Sequence, residues 1–340
     1  MKLIGNEATW KQLYIALNSA IKQNRALPHV LLTGAAGCGK TSTARQIAKL
    51  TGFKFIASAC DSLKTRKDLI SLVKNFDVTG YNKKLEKVGR IKPTIVFIDE
   101  VHGLSLKAQE ILGIIMEERY IPVHANELRR NIRGKNKLLK VTCPEFTLIG
   151  ATTDDGKLSK PFRDRFKLRF IFTTYTLNQS IEIVKEHANK LQIKIEDDAS
   201  VEIARRGRGT PRIIVSLLER CRDFIIATNQ EKITKEAALI VFDLANINSD
   251  GLTKTDLTLM KILADVNGPV GLDNLATMLH ESPKVLVEVV EPYLIRKEFI
   301  IRSSRGREIT ATGKKYLSEI GMLEESKQVE ENEDHLFFNL

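Results

Sequence analysis

Apolar residues in the first half of the chain fall in short runs. Val30-Leu31-Leu32, Phe53-Lys-Phe-Ile56, Ile95-Val-Phe-Ile98 and Phe146-Thr-Leu-Ile149 are strand-sized, and helical or loop sequence follows each one. A strand apolar at successive positions is covered on both faces, so this pattern predicts a parallel sheet sandwiched by helices. From about Thr176 the strand runs stop. Ile181, Val184, Ala188 and Leu191 recur at helical spacing, and 201–205 and 213–227 continue the same way. This part predicts a small helical domain.

A third unit starts near Gly251. Helices are expected around Leu257–Leu263, over Leu272–Leu279 and over Pro283–Leu294. Phe299-Ile-Ile-Arg302 and Arg307-Glu-Ile-Thr310 then flank Ser-Ser-Arg-Gly, the pattern of a β-hairpin. Three helices followed by a hairpin is the order of a winged helix-turn-helix. The last residues are polar and acidic, and are expected to be disordered.

Composition narrows the class. With 340 residues, 43% of them apolar, the chain suffices for two or three domains with real cores. The longest apolar runs, such as Thr94-Ile-Val-Phe-Ile98, are too short for a membrane span, and the start has no signal-peptide pattern. A cytoplasmic protein without a membrane partner is expected. Cys38, Cys60, Cys143 and Cys221 lack metal-site spacing. The formal net charge is +11, and 324–340 holds six acids and one lysine, leaving +16 on the rest. Such an excess favours a polyanionic partner.

The strongest chemical signal is Gly34-Ala-Ala-Gly-Cys-Gly-Lys-Thr41, a full phosphate-loop pattern. It sits between an expected strand (His29 to Thr33) and an expected helix (Ser42 to Leu50). Gly34, Gly37 and Gly39 let backbone amides turn toward phosphates, while the helix directs its positive end at them. Lys40 would face the β- and γ-phosphates of ATP, Thr41 would ligate Mg²⁺, and Ser42, at the helix start, would bind the nucleotide with them. Ile95-Val-Phe-Ile-Asp99-Glu100 adds a strand that ends in two carboxylates. Asp99 is expected at the Mg²⁺ site and Glu100 as the base that polarises the attacking water.

The ordered segments also resemble a known family. Leu27-Pro-His-Val-Leu-Leu, Ile98-Asp-Glu-Val-His102, Phe146-Thr-Leu-Ile-Gly-Ala-Thr-Thr153 and Pro161-Phe-Arg-Asp-Arg-Phe166 are four of them. Arg208-Gly-Thr-Pro-Arg212, Gly268-Pro-Val-Gly-Leu-Asp-Asn274, Glu291-Pro-Tyr-Leu-Ile295 and Arg305-Gly-Arg307 follow. From about Leu3 to Gly321 the chain resembles the RuvB family, hexameric AAA+ motors that drive branch migration of Holliday junctions. The resemblance implies an α/β fold: an AAA+ P-loop parallel-sheet core (1–174), a helical lid (175–250) and a C-terminal winged helix (251–323), then an acidic tail (324–340).

It implies roles as well. Thr152, or its neighbour Thr153, is the polar sensor of the γ-phosphate. Arg165 is the arginine finger that enters the neighbouring subunit's site in a homo-hexameric ring. Arg212 is the sensor arginine of the lid, and Tyr175 contacts the nucleotide. Arg302, Arg305 and Arg307 lie on or beside a wing that touches phosphates of double-stranded or branched DNA. From the residues alone, Arg163 and Arg165 are a solvated charge pair and Arg212 is a helix-start surface residue.

Four features depart from the family. The arginine-containing segment that helps hold adenine is missing ahead of the start. Gly103 replaces an arginine, and extra chain surrounds 80–92. The region between Glu117 and Cys143 is longer and more basic than usual, with Arg129, Arg130, Arg133, Lys135, Lys137 and Lys140. In the family this hairpin docks RuvA through apolar contacts, whereas here its basic character favours DNA or a different partner. The end, Asp334-His-Leu-Phe-Phe-Asn-Leu340, loosely resembles the acidic peptides that bind sliding clamps. A clamp-loader or helicase-loader ATPase is therefore the rival reading, and an ATP-switched DNA-binding regulator a more distant one.

Overall fold

A computed structural model describes residues 4–78, 92–124, 138–266 and 268–323. The acidic tail, the clamp-like end peptide, most of the extra chain at 80–92 and the basic stretch at 125–137 lie outside the described residues. Two compact units emerge, 1–192 with 209–218, and 193–208 with 219–340.

The first unit begins with α1 (Glu7–Lys22), β1 (Val30–Gly34), α2 (Lys40–Thr51), β2 (Lys54–Ala59) and α3 (Arg66–Lys74). It continues with β3 (Thr94–Asp99), α4 (Leu106–Glu118), the antiparallel pair β4 (Tyr120–His124) and β5 (Leu138–Thr142), and β6 (Phe146–Thr152). The short α5 (Lys160–Arg163), β7 (Leu168–Phe172) and α6 (Leu177–Lys190) follow. Five strands form one parallel sheet in the order β2-β3-β6-β1-β7. The strand alternation accounts for the apolar runs. Leu31, Val96, Ile98 and Leu148 enter one core with residues of α3 and α4. Val30, Leu32, Ile95, Phe97, Ile149 and Ala151 enter another, with residues of α1 and α2.

The four expected strands are present, and the sheet has a fifth, β7. Phe170 and Phe172 are buried, while Arg169 and Ile171 are exposed, as suits an edge strand covered on one face. The helix after the phosphate loop starts earlier than expected, at Lys40 rather than Ser42.

The second unit contains β8 (Lys194–Ile195), α7 (Asp197–Arg206), the later part of α8 (Pro211–Ala227), β9 (Lys232–Ile233) and α9 (Lys235–Leu244). Then come α10 (Lys254–Val266), α11 (Leu272–Leu279) and a helical stretch from α12 (Pro283–Val285) to α13 (Glu291–Arg296), with a π turn at Leu286–Val290. The hairpin of β10 (Ile300–Arg302) and β11 (Arg307–Ile309) follows as expected, and α14 (Ala311–Glu319) closes the unit. Leu259, Leu263, Leu275, Leu286, Leu294, Ile300 and Leu317 share its core, so helices and wing fold as one body.

Candidate active site

β1, β3 and β6 are adjacent and parallel, so their carboxyl ends deliver Gly34, Asp99 and Thr152 to one edge of the sheet. Ligands of open α/β sheets bind at that edge. The chain leaves β1 in a glycine loop. Gly34 has φ +145°, and a Cβ there would stand 2.3 Å from the Phe172 carbonyl oxygen. Gly37 has φ +76°, and its Cβ would meet Thr210 at 2.9 Å and Arg212 at 3.0 Å. Only glycine fits these positions, which leaves a cradle of bare backbone. Gly39 ends the loop before α2, and no side chain caps that helix. Thr41 and Ser42 lie in its first turn. Its first amides are free for an anion.

Lys40 is buried, and its Nζ donates to the carbonyl oxygens of Gly34 (2.6 Å) and Ala35 (2.9 Å). Burial lowers its pKa, and nearby Arg212 lowers it further, while Glu100 and Asp99 act in the opposite direction. Lys40, Asp99, Glu100 and Arg212 thus share one electrostatic neighbourhood. The Tyr175 hydroxyl donates to the Cys38 carbonyl at 3.3 Å, and its backbone N–H donates to Gly209. Burial raises the Tyr175 pKa. Beside α2, a cleft is lined by Trp10, Phe172, Tyr175, Ile183, His187 and Pro211.

Glu100 adopts φ +47°, an uncommon backbone state for a residue with a side chain. Its N–H donates to Asp99 Oδ1 at 3.1 Å, and its Oε2 accepts from the Thr153 hydroxyl at 3.2 Å. The two threonines divide as strand alternation requires. Thr152 ends β6 with no exposed surface, and its hydroxyl accepts from the Asp154 N–H. The exposed threonine on Glu100 is Thr153, the second of the two sensor candidates. His102 was given no role in the sequence. Its Nδ1 lies 2.8 Å from Thr152 Oγ1 and 3.2 Å from Glu100 Oε2. A histidine after Asp-Glu was the only signal that could have pointed to it.

Gly103 also has a physical account. A Cβ there would stand 2.8 Å from the Cys60 sulfur, so a side chain at 103 requires that sulfur to move.

Two other groups lie outside this cluster. Arg165 bonds to Glu117 and to the Pro161 carbonyl, not to the loop. In the second unit Arg302 and Arg305 are exposed on the wing. Arg307, expected to contact DNA beside them, is not available. It is 6% exposed and its Nε donates to Glu291 Oε1 at 2.7 Å, with Nη2 3.2 Å from Oε2. Val270 and Arg307 exchange backbone hydrogen bonds at 2.9 Å, drawing Arg307 under the wing.

A phosphate cradle on a parallel sheet, carboxylates at the end of a strand two places away and a winged-helix unit define a P-loop ATPase of the AAA class. Three family profiles match the chain in order: the Holliday junction DNA helicase RuvB P-loop domain over 1–171, the RuvB AAA lid domain over 175–248 and the RuvB C-terminal winged helix domain over 249–318. The chain belongs to the RuvB family. It is 36% identical over 315 residues to the Holliday junction branch migration complex subunit RuvB of Wolbachia sp. subsp. Drosophila simulans, covering 93% of this chain and 91% of that protein. It is 35% identical to the protein of the same name from Sulfurimonas denitrificans, covering 93% and 88%. The solved structure of the Thermotoga maritima RuvB Holliday junction branch migration motor superposes with a TM-score of 0.75 at 32% identity, covering 93% and 95%. No helix among the described residues is long and apolar enough to cross a membrane.

Proposed function

We propose that this chain is an ATP-driven DNA translocase that moves Holliday junctions in recombination and repair, in the cytoplasm. The observation that carries the reading is the phosphate cradle with Lys40, Asp99 and Glu100 around it, in a chain matched over 1–171, 175–248 and 249–318 by RuvB family profiles. ATP fits the cradle: the amides of α2 lack a side-chain cap, and Lys40 has loop carbonyls as its hydrogen-bond partners. The cleft lined by Trp10, Phe172 and Tyr175 offers an aromatic surface that suits the base.

Lys40 and Arg212 neutralise the phosphates, and Thr41 and Asp99 hold Mg²⁺. The ion would neutralise charge on the β- and γ-oxygens. Glu100 takes the proton of the attacking water, oriented by Thr153 and His102. Arg165 stabilises the transferring phosphoryl group from the next subunit of a homo-hexameric ring, a heterologous interface that closes on itself. Arg302 and Arg305 hold DNA phosphates, contacts that position the duplex without reading bases. The core, lid and winged helix take 1–174, 175–250 and 251–323, and the hairpin near 120–142 meets a RuvA-like protein or DNA.

The test is ATP hydrolysis with and without a synthetic four-way junction, with strand separation of that junction followed in parallel. Stimulated hydrolysis with junction movement supports the translocase. Hydrolysis indifferent to every DNA form, but responsive to a sliding clamp, transfers the assignment to a loader.

A further inference from the structure

Arg165 is held by a carboxylate to which neither the motifs nor the resemblance gives a role. Glu117, in the last turn of α4, accepts from Arg165 Nε at 3.1 Å, and Nη2 lies 2.9 Å from the same oxygen. Arg165 Nη1 donates to the Pro161 carbonyl at 2.6 Å. A guanidinium has five N–H donors, so donors remain on both terminal nitrogens for a phosphate. Gly113, one helical turn before Glu117, leaves room for the guanidinium. A Cβ there would stand 3.1 Å from Arg165 Nε and 3.2 Å from Cζ. The backbone on either side is pinned by Phe162 and Phe166, both buried and packed edge to face at 5.3 Å.

An arginine side chain with several free torsions would otherwise sample many rotamers, whereas a stabilising group acts best when already in place. Glu117 is 60% exposed, and exposed ion pairs add little stability. The consequence of the pair is therefore where it leaves the guanidinium. The geometry points to Glu117 as a positioning residue that sets the direction in which Arg165 reaches the nucleotide of the next subunit. This rests on the reading of Arg165 as the finger.

The test compares Arg165→Ala, Glu117→Ala, Glu117→Gln and Gly113→Ala in steady-state ATP hydrolysis on a four-way junction, with thermal unfolding of each. Arg165→Ala should abolish hydrolysis. Glu117→Ala should lower kcat by about tenfold to a hundredfold, with KM for ATP and Tm unchanged. Glu117→Gln should fall between it and the parent. Gly113→Ala, which crowds the guanidinium while Glu117 stays, should also lower kcat alone. An inactive Arg165→Ala beside a Glu117→Ala with the parent's kcat overturns the role of Glu117 alone. So does a loss carried by KM or Tm, which marks a structural residue, or a faster Glu117→Ala, which marks a restraint. A fully active Arg165→Ala overturns the finger reading and the Glu117 role with it.

Discussion

His102 Nδ1 stands 2.8 Å from the Thr152 hydroxyl, and the same nitrogen is 3.2 Å from the Glu100 carboxylate. A fully buried threonine is thereby joined to the proposed base through one imidazole. The imidazole restricts Glu100, whose backbone is already in an uncommon state. His102→Ala should lower kcat by roughly tenfold while leaving KM for ATP nearly unchanged. Steady-state hydrolysis on a four-way junction measures both, and a change in KM alone would remove His102 from the catalytic arrangement.

Lys40 and Glu100 should separate binding from chemistry. Lys40→Ala removes the buried charge that faces the cradle and should weaken ATP binding by about tenfold or more, as expected for loss of a charge-assisted contact. Glu100→Gln should bind ATP, fail to hydrolyse it and trap assembled rings. Trp10 is the only tryptophan and lines the cleft beside α2, so its fluorescence should report binding directly. Fluorescence titration of both variants, with light scattering for the rings, checks the expectation.

The wing arginines should divide by burial. Arg302→Ala and Arg305→Ala remove exposed charges and should weaken DNA binding evenly across sequences, each reducing the salt slope by about one. Arg307→Ala instead strands Glu291, which is 1% exposed, and should destabilise the winged-helix unit by about 3–5 kcal/mol. Urea unfolding and salt-dependent binding, measured on the same three variants, distinguish the two effects.

His29 should make stability fall in acid. Its Nδ1 accepts from the Leu148 N–H at 2.9 Å, so Nε2 donates to the Met116 carbonyl at 3.2 Å, and the neutral ring joins three elements of the first unit. Burial pushes its pKa down from 6.5 to about 4. Well above pH 6.5 the ring is neutral folded and unfolded, with no effect on stability. Between 6.5 and 4 the unfolded chain takes up a proton that the fold refuses, so stability falls as pH drops, by up to about 3 kcal/mol. Below 4 the loss levels off. Urea unfolding at pH 7 and pH 4.5 should show the difference for the parent and a smaller one for His29→Asn.

Much of this protein was legible in its residues because the signals are local or periodic. Apolar runs marked the three inner strands β1, β3 and β6, since a strand buried on both faces cannot alternate, and they marked the edge strand β2 as well. The phosphate loop was legible because glycines at 34, 37 and 39 are demanded by the backbone itself. Tertiary structure decided what depends on which side of an element faces what. β7 lies at an edge of the sheet, and only the fold shows that Ile171, in the middle of Phe170-Ile-Phe172, faces outward. Thr152 and Thr153 are equivalent as letters, but the end of β6 buries one and presents the other to Glu100. Arg302 and Arg307 both belong to the wing as sequence, yet only the fold places Glu291 beneath Arg307 and turns a DNA-facing charge into a buried ion pair. Pairs such as His102 with Thr152 or Arg165 with Glu117 lie about fifty residues apart, and no local propensity encodes them.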